Sequence, residues 1–176
     1  MYIVPQPHGK DKRKTGAAAP GKPNFSAVFG ETLCGLAAED NRIVAITAAM
    51  KKGTCLDAFA QQYPTRFFDV GIAEEHAVTF ASGMASGGLL PVFAVYSTFL
   101  QRSYDQLIND TALMHTHIVL AIDRAGIVPD DGETHQGIYD VAMLATIPGV
   151  TMYAPANFRE LRLHLRQVPT LAMRAR

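Results

Sequence analysis

The sequence predicts a doubly wound α/β domain, with a mostly parallel sheet and helices on both faces. Two observations predict it. Short apolar runs alternate with helical patterns along most of the chain, and those runs are continuously apolar rather than alternating with polar residues. Strands of that kind are buried on both faces, which in practice means a parallel sheet between helical layers.

Ordered sequence is expected to begin near Phe25, with Ser26 as the cap of a helix whose apolar stripe runs through Phe29, Leu33, Leu36 and Ala37. Ile43-Val44-Ala45-Ile46 reads as a short buried strand, followed by the breaker Lys51-Lys52-Gly53. Leu56 to Tyr63 fits a brief helix stopped by Pro64, and Phe67 to Val70 a second strand. Glu74 to Ser86 is a longer helix, rich in small residues. Leu89 to Val95 gives a third strand after Gly87-Gly88, and Phe99 to Met114 a long amphipathic helix. Ile118 to Ile122 is the clearest strand, with no polar residue inside it. The loop Asp123 to Gly137 is longer than a compact domain needs. Tyr139 to Ala145 reads as a helix, Val150 to Tyr153 as a strand, Asn157 to Gln167 as a helix, and Leu171-Ala172-Met173 as a sixth strand.

Composition narrows the class. The 176 residues are 48% apolar and 18% charged, with 16 basic residues balancing 16 acidic ones, which excludes disordered, collagen-like and disulfide-stapled chains. No apolar run reaches the roughly 18 residues needed to span a bilayer, so no membrane partner is expected. Cys34 and Cys55 are the only cysteines and are not in metal-ligand spacing, in keeping with a reducing, cytoplasmic setting. Residues 1–23 carry a net charge of +4 from Lys10, Lys12, Arg13, Lys14 and Lys22 against Asp11. With no interleaved aromatic residues, that stretch reads as a flexible basic leader or linker rather than a nucleic-acid site, leaving residues 24–176 as the domain.

In such sheets ligands bind beyond the carboxyl ends of the strands, where three loops converge here. Gly71-Ile72-Ala73-Glu74-Glu75-His76 opens a helix with two acids. Helix-dipole stabilisation alone accounts for acids there, and only one of two consecutive side chains can face a crevice. Tyr96-Ser97-Thr98-Phe99-Leu100-Gln101-Arg102 puts an aromatic and an arginine on one helical face, able to stack and to meet an anion; core packing with a solvated arginine explains it equally well. The loop from Arg124 to Gly137 is dense in Asp, Gly and His. Turn chemistry explains much of it, and Asp130, Asp131 and His135 match no specific metal motif. There is no phosphate loop, no dinucleotide fingerprint and no nucleophile elbow.

Taken in this order, FFDVGIAEEHAVTFASGMASGG, PVFAVYSTFLQRSYDQLINDTA and IDRAGIVPDDGETHQGIYDVAML resemble the pyrimidine-binding domain of thiamine-diphosphate enzymes of the transketolase superfamily, specifically the 1-deoxy-D-xylulose-5-phosphate synthase type. Weaker likeness extends to FSAVFGETLC and IPGVTMYAPANFREL, so residues 25–165 are covered. The resemblance implies a transferase that joins decarboxylated pyruvate to glyceraldehyde 3-phosphate, at the head of isoprenoid and thiamine biosynthesis. It implies Glu74 as the acid on the pyrimidine nitrogen, Phe99 stacked on that ring and Ile72 beside it. It further implies Tyr96, Arg102, Arg124, Asp131 and, at the end of a last strand, Arg174 as substrate-binding residues, with His135 assisting proton movement. Thiamine diphosphate is shared in this family with a diphosphate-binding domain whose Gly-Asp-Gly motif holds Mg2+. That motif is absent here, so no metal ligand is assigned and the isolated chain is expected to be inactive. The partners implied are that domain or subunit, pyruvate, a sugar phosphate and a second copy in a homodimer. Two alternatives stay open: the C-terminal subunit of a split transketolase, and a non-catalytic interaction module of the same fold.

Overall fold

The computed structural model describes residues 2–3, 23–128 and 131–174. Its centre is a six-stranded sheet built from β1 (Tyr2–Ile3), β2 (Ile43–Thr47), β3 (Phe67–Asp69), β4 (Leu90–Tyr96), β5 (Val119–Asp123) and β6 (Met152–Tyr153). The strand order is β3-β2-β4-β5-β1-β6 and every pairing is parallel. The helices are α1 (Phe25–Glu39), α2 (Asp57–Gln62), α3 (Glu74–Ser86), α4 (Ser97–Leu100), α5 (Tyr104–Gln106), α6 (Asp140–Leu144) and α7 (Phe158–Arg174).

The continuous apolar runs do what a two-sided sheet requires. In β4, Val92 and Ala94 face one core while Phe93 and Val95 face the other; in β5, Val119 and Ala121 oppose Leu120 and Ile122 in the same way. The first face is covered by Phe25, Val28, Phe29 and Leu33 of α1, Phe59 of α2 and Leu161 and Leu165 of α7. The second is covered by Ala77, Val78 and Ala81 of α3 together with Leu100, Leu107, Leu144 and Ile147. The small residues of α3 let its backbone lie close to β4.

Four local expectations are corrected. Asn24, not Ser26, caps α1, its side chain accepting from Ala27 N at 2.8 Å; Ser26 Oγ instead donates to Asp123 Oδ2 at 2.6 Å, tying α1 to the end of β5. The helix expected over Phe99–Met114 begins at Ser97 and changes pitch, passing through a 3₁₀ turn (Gln101–Ser103), α5 and a π turn (Leu107–Ala112). Its carbonyls are drawn away by side chains: Asp110 O accepts from Ser82 Oγ and Thr116 Oγ1, while Leu113 N reaches back five residues to Ile108 O at 2.9 Å. Leu171-Ala172-Met173 lies within α7 rather than forming a strand, since all three are strong helix formers and none is β-branched. Finally, Tyr2 and Ile3, two good strand residues ahead of the basic run, pair between β5 and β6, so they are not part of a detached leader; residues 4–22 lie outside the described residues.

Candidate active site

Three strand ends deliver the site. Beyond β3, Asp69 Oδ1 accepts from Ala49 N at 2.8 Å and Gly71 N at 3.1 Å, and Gly71 turns at a φ of +72°, so the chain enters α3 with Glu74 pointing inward. Glu74 is 2% exposed, whereas Glu75 and His76 are exposed, His76 stacking on Phe80. Glu74 is the first residue of α3, and Arg102 Nη1 donates to its Oε2 at 3.0 Å.

From Arg102 the contacts run on without a break. Its guanidinium lies 5.6 Å from the Phe99 ring centre, and Phe99 stacks on Tyr96 at 6.1 Å and 20°. Arg124 covers the Tyr96 ring at 4.2 Å and pairs with Asp131. His135 meets Phe99 edge-on at 5.4 Å and shares a hydrogen bond with Thr134 through Nδ1. The sequence is therefore acid, cation, ring, ring, cation, acid, with an imidazole at its side. Ile72 projects, 78% exposed, from the turn that leads to Glu74.

All but one of the site residues read from the sequence thus come to the same end of the sheet. Arg174 does not follow them: it closes α7 instead of ending a strand, because the strand it was assigned to is helical. Asp130 lies outside the described residues. Among the described residues no group of three or more His, Cys, Asp or Glu is placed to hold a metal ion.

Supporting residues went unread in the sequence. Gly53, taken as a strand boundary, is where the Tyr96 hydroxyl docks; a Cβ there would lie 1.7 Å from that oxygen. Met50 Sδ accepts from Tyr96 N at 3.5 Å. The long loop is closed by a Gly126–Gly137 antiparallel bridge, and Gln136 both accepts from Val128 N at 2.7 Å and donates to Val128 O at 3.0 Å. Gly137 is obligatory here, since a Cβ would fall 2.4 Å from Arg124 O and 2.8 Å from Ser97 Cβ. Arg124 itself sits at a φ of +54°, a conformation costly for a side-chain-bearing residue and retained because this loop is pinned on both sides. The detectable signal for Asp123 was an acid closing an otherwise apolar strand.

Burial pushes the Asp123 carboxyl above its ordinary range, against the opposing pull of the Ser26 hydroxyl, the Arg124 N–H and the Arg124 charge. Burial likewise raises the Tyr96 phenol and the Cys55 thiol. Burial works against the Arg124 charge, yet its bond to Asp131 and the nearby acids prevail and raise it. Because folded Asp123 holds its proton more tightly than the unfolded chain, its protonated form stabilises the fold fully below about pH 3.9, its ordinary value. That contribution is lost as pH rises toward the folded value. Asp123→Asn is expected to flatten this fall in a profile of Tm against pH; an unaltered slope in the variant would refute the assignment.

The match to known proteins covers most of the chain. The family model described as "Transketolase, pyrimidine binding domain" matches residues 21–171. The 1-deoxy-D-xylulose-5-phosphate synthase of Symbiobacterium thermophilum is 60% identical over 148 residues, 84% of this chain and 23% of the relative; that of Chlorobaculum tepidum is 58% identical over 154 residues, 88% and 24%. The chain therefore spans about a quarter of the length of these curated relatives. Among solved structures, a split gene transketolase described as an inactive beta4 tetramer superposes with a TM-score of 0.71 at 27% identity, covering 81% of this chain and 46% of that one. A Pichia stipitis transketolase reaches a TM-score of 0.73 at 18% identity, covering 81% and 23%, which speaks to the fold.

Proposed function

Since the chain belongs to the transketolase pyrimidine-binding domain family, we propose that residues 24–176 form the pyrimidine wall of a thiamine-diphosphate site of the 1-deoxy-D-xylulose-5-phosphate synthase type. The observation that carries this reading is the buried Glu74 at the start of α3, linked through Arg102 to an aromatic pair across the crevice. The donor set fits the pyrimidine half of the cofactor: a dry carboxyl for a ring nitrogen and Phe99 for the ring face. Ile72 supplies an apolar surface next to them. The diphosphate and its Mg2+ are left to another domain.

When bound, thiamine diphosphate supplies a carbanion that attacks carbonyl carbon. The work of this chain is to prepare for it. Glu74, out of water, holds and returns a proton at the pyrimidine nitrogen, and its burial keeps that proton from exchanging freely with solvent. Phe99 fixes the ring plane. Arg102 and Arg124 present planar guanidinium forks to the phosphate of an aldehyde substrate, with Tyr96 as the platform that orients Arg124. Asp131 and His135 lie on the loop pinned by Gln136, where they meet hydroxyl groups and pass protons. The substrates we assign are pyruvate and glyceraldehyde 3-phosphate, and the setting is the cytoplasm. No described helix is long and apolar enough to cross a membrane.

A cofactor held between two walls binds poorly to one. Thiamine diphosphate is therefore expected to bind the chain weakly and without synthase turnover, and to bind saturably once a diphosphate-binding domain protein is added, as isothermal titration and a coupled assay would read. Turnover by the chain alone would overturn the half-site reading. Absence of saturable binding even with the partner would favour an interaction module. The split transketolase neighbour supports a second reading, as one subunit of a two-gene enzyme; it is distinguished by a partner that processes sugar phosphates without pyruvate. The outward side of α3, where Glu75, His76, Thr79 and Gly83 are exposed, is the surface we assign to a homodimer or partner contact.

A further inference from the structure

Both arginines of the crevice are tied to carboxylates: Arg102 to Glu74 and Arg124 to Asp131. A guanidinium paired in this way is a weaker anion receptor, because the adjoining carboxylate offsets its charge and repels an incoming phosphate. The two pairs are not equivalent. Arg124 and Asp131 belong to one loop, seven residues apart, whereas Glu74 and Arg102 come from separate strand ends, 28 residues apart. Glu74 is 2% exposed and Arg102 is 49% exposed, so the acid is fixed in the floor while the base reaches the mouth. Only Nη1 of the guanidinium is given to Glu74, and the same group rests against Phe99, a surface over which it can pivot.

We propose that Glu74 acts as a latch on Arg102, withholding it from anions until the charge on Glu74 is removed. Whatever neutralises that carboxylate, by substitution or by uptake of one proton from solvent that it then shares with the nitrogen of a bound heterocycle, frees Arg102 to bind a phosphate group. The identity of that heterocycle rests on the reading given above; the latch itself rests on the ion pair. Two consequences follow from the coupling. Heterocycle and anion bind cooperatively, each tightening the other by the same factor. An anion arriving early meets a guanidinium whose charge is offset by Glu74, so it is held more weakly until the heterocycle is in place, without any movement of the sheet.

The test titrates inorganic phosphate into the full chain and its variants, with circular dichroism as the check on folding. Glu74→Gln is expected to tighten phosphate about fivefold or more, the scale of ordinary coupling between sites. Adding Arg102→Met to it is expected to erase the gain. Glu74→Met, which leaves no buried polar group unpaired, carries the same comparison if the Gln variant folds poorly. A merely structural role for the pair predicts the opposite, since loosening it would weaken or leave unchanged the binding of phosphate. Equal or weaker phosphate binding by folded Glu74 variants overturns the latch. Thiamine then tests the reading beneath it: tightening of phosphate by thiamine in the wild-type chain, lost in Glu74→Gln, supports both. Thiamine that binds by isothermal titration yet leaves phosphate affinity unchanged, alongside tight phosphate binding by Glu74→Gln, supports the latch and overturns the assignment of Glu74 to the ring nitrogen.

Discussion

Glu74→Gln, in the chain assembled with a diphosphate-binding domain, is expected to lower kcat for the pyruvate-dependent reaction by about 10²–10⁴-fold, the range over which a positioned proton-transfer group acts. The amide preserves the shape of the side chain and can still hydrogen-bond, yet it cannot hold and return a proton at a ring nitrogen. The effect should fall on kcat more than on KM, because the contact that changes matters most while the proton is in motion. Far-UV circular dichroism should match the wild type, since the helix dipole loses only a partner and not a core residue. A loss below about tenfold would show that Glu74 is a structural acid at a helix start, the plainer explanation available from the sequence.

The largest expected effect on stability is at Phe93. This ring is fully buried in the middle of β4, among Val95, Leu120, Ile122 and the α3 alanines. Phe93→Ala is expected to cost about 3–5 kcal/mol, combining lost transfer energy with an unfilled cavity. Against a total of roughly 5–15 kcal/mol for a domain, that is enough to move the urea midpoint sharply or to prevent folding at growth temperature. β4 lies between β2 and β5, so the cavity cannot be relieved by fraying of an edge. A change below about 1 kcal/mol would mean that the second core repacks around the gap.

What the sequence made legible follows from how the information is carried. The central strands β2, β4 and β5 announce themselves because burial on both faces demands unbroken apolar runs, and the Glu74 turn, the Phe99–Arg102 segment and the Arg124 loop stand out because each follows such a run. Four things were not legible. The π turn over Leu107–Ala112 goes with Ser82 of α3 capturing the Asp110 carbonyl, a contact between residues 28 apart that no local pattern encodes. The helical state of Leu171 to Met173 was masked by apolarity, a property shared by strands and helices. The pairing of Glu74 with Arg102 joins positions whose proximity exists only once the sheet has formed, and the seat of Tyr96 on Gly53 depends on an absent side chain.

The sheet also ends in a particular way on each side. β3 has three residues and β6 has two, while the longest strand, β4, lies inside with neighbours on both flanks. Borders this brief offer few free backbone donors and acceptors to a stray strand, so the fold is protected from growing sideways into fibrous aggregates. Contacts with other subunits are thereby steered toward helix faces and loop tips, where selectivity comes from side chains rather than from a backbone that any polypeptide could match.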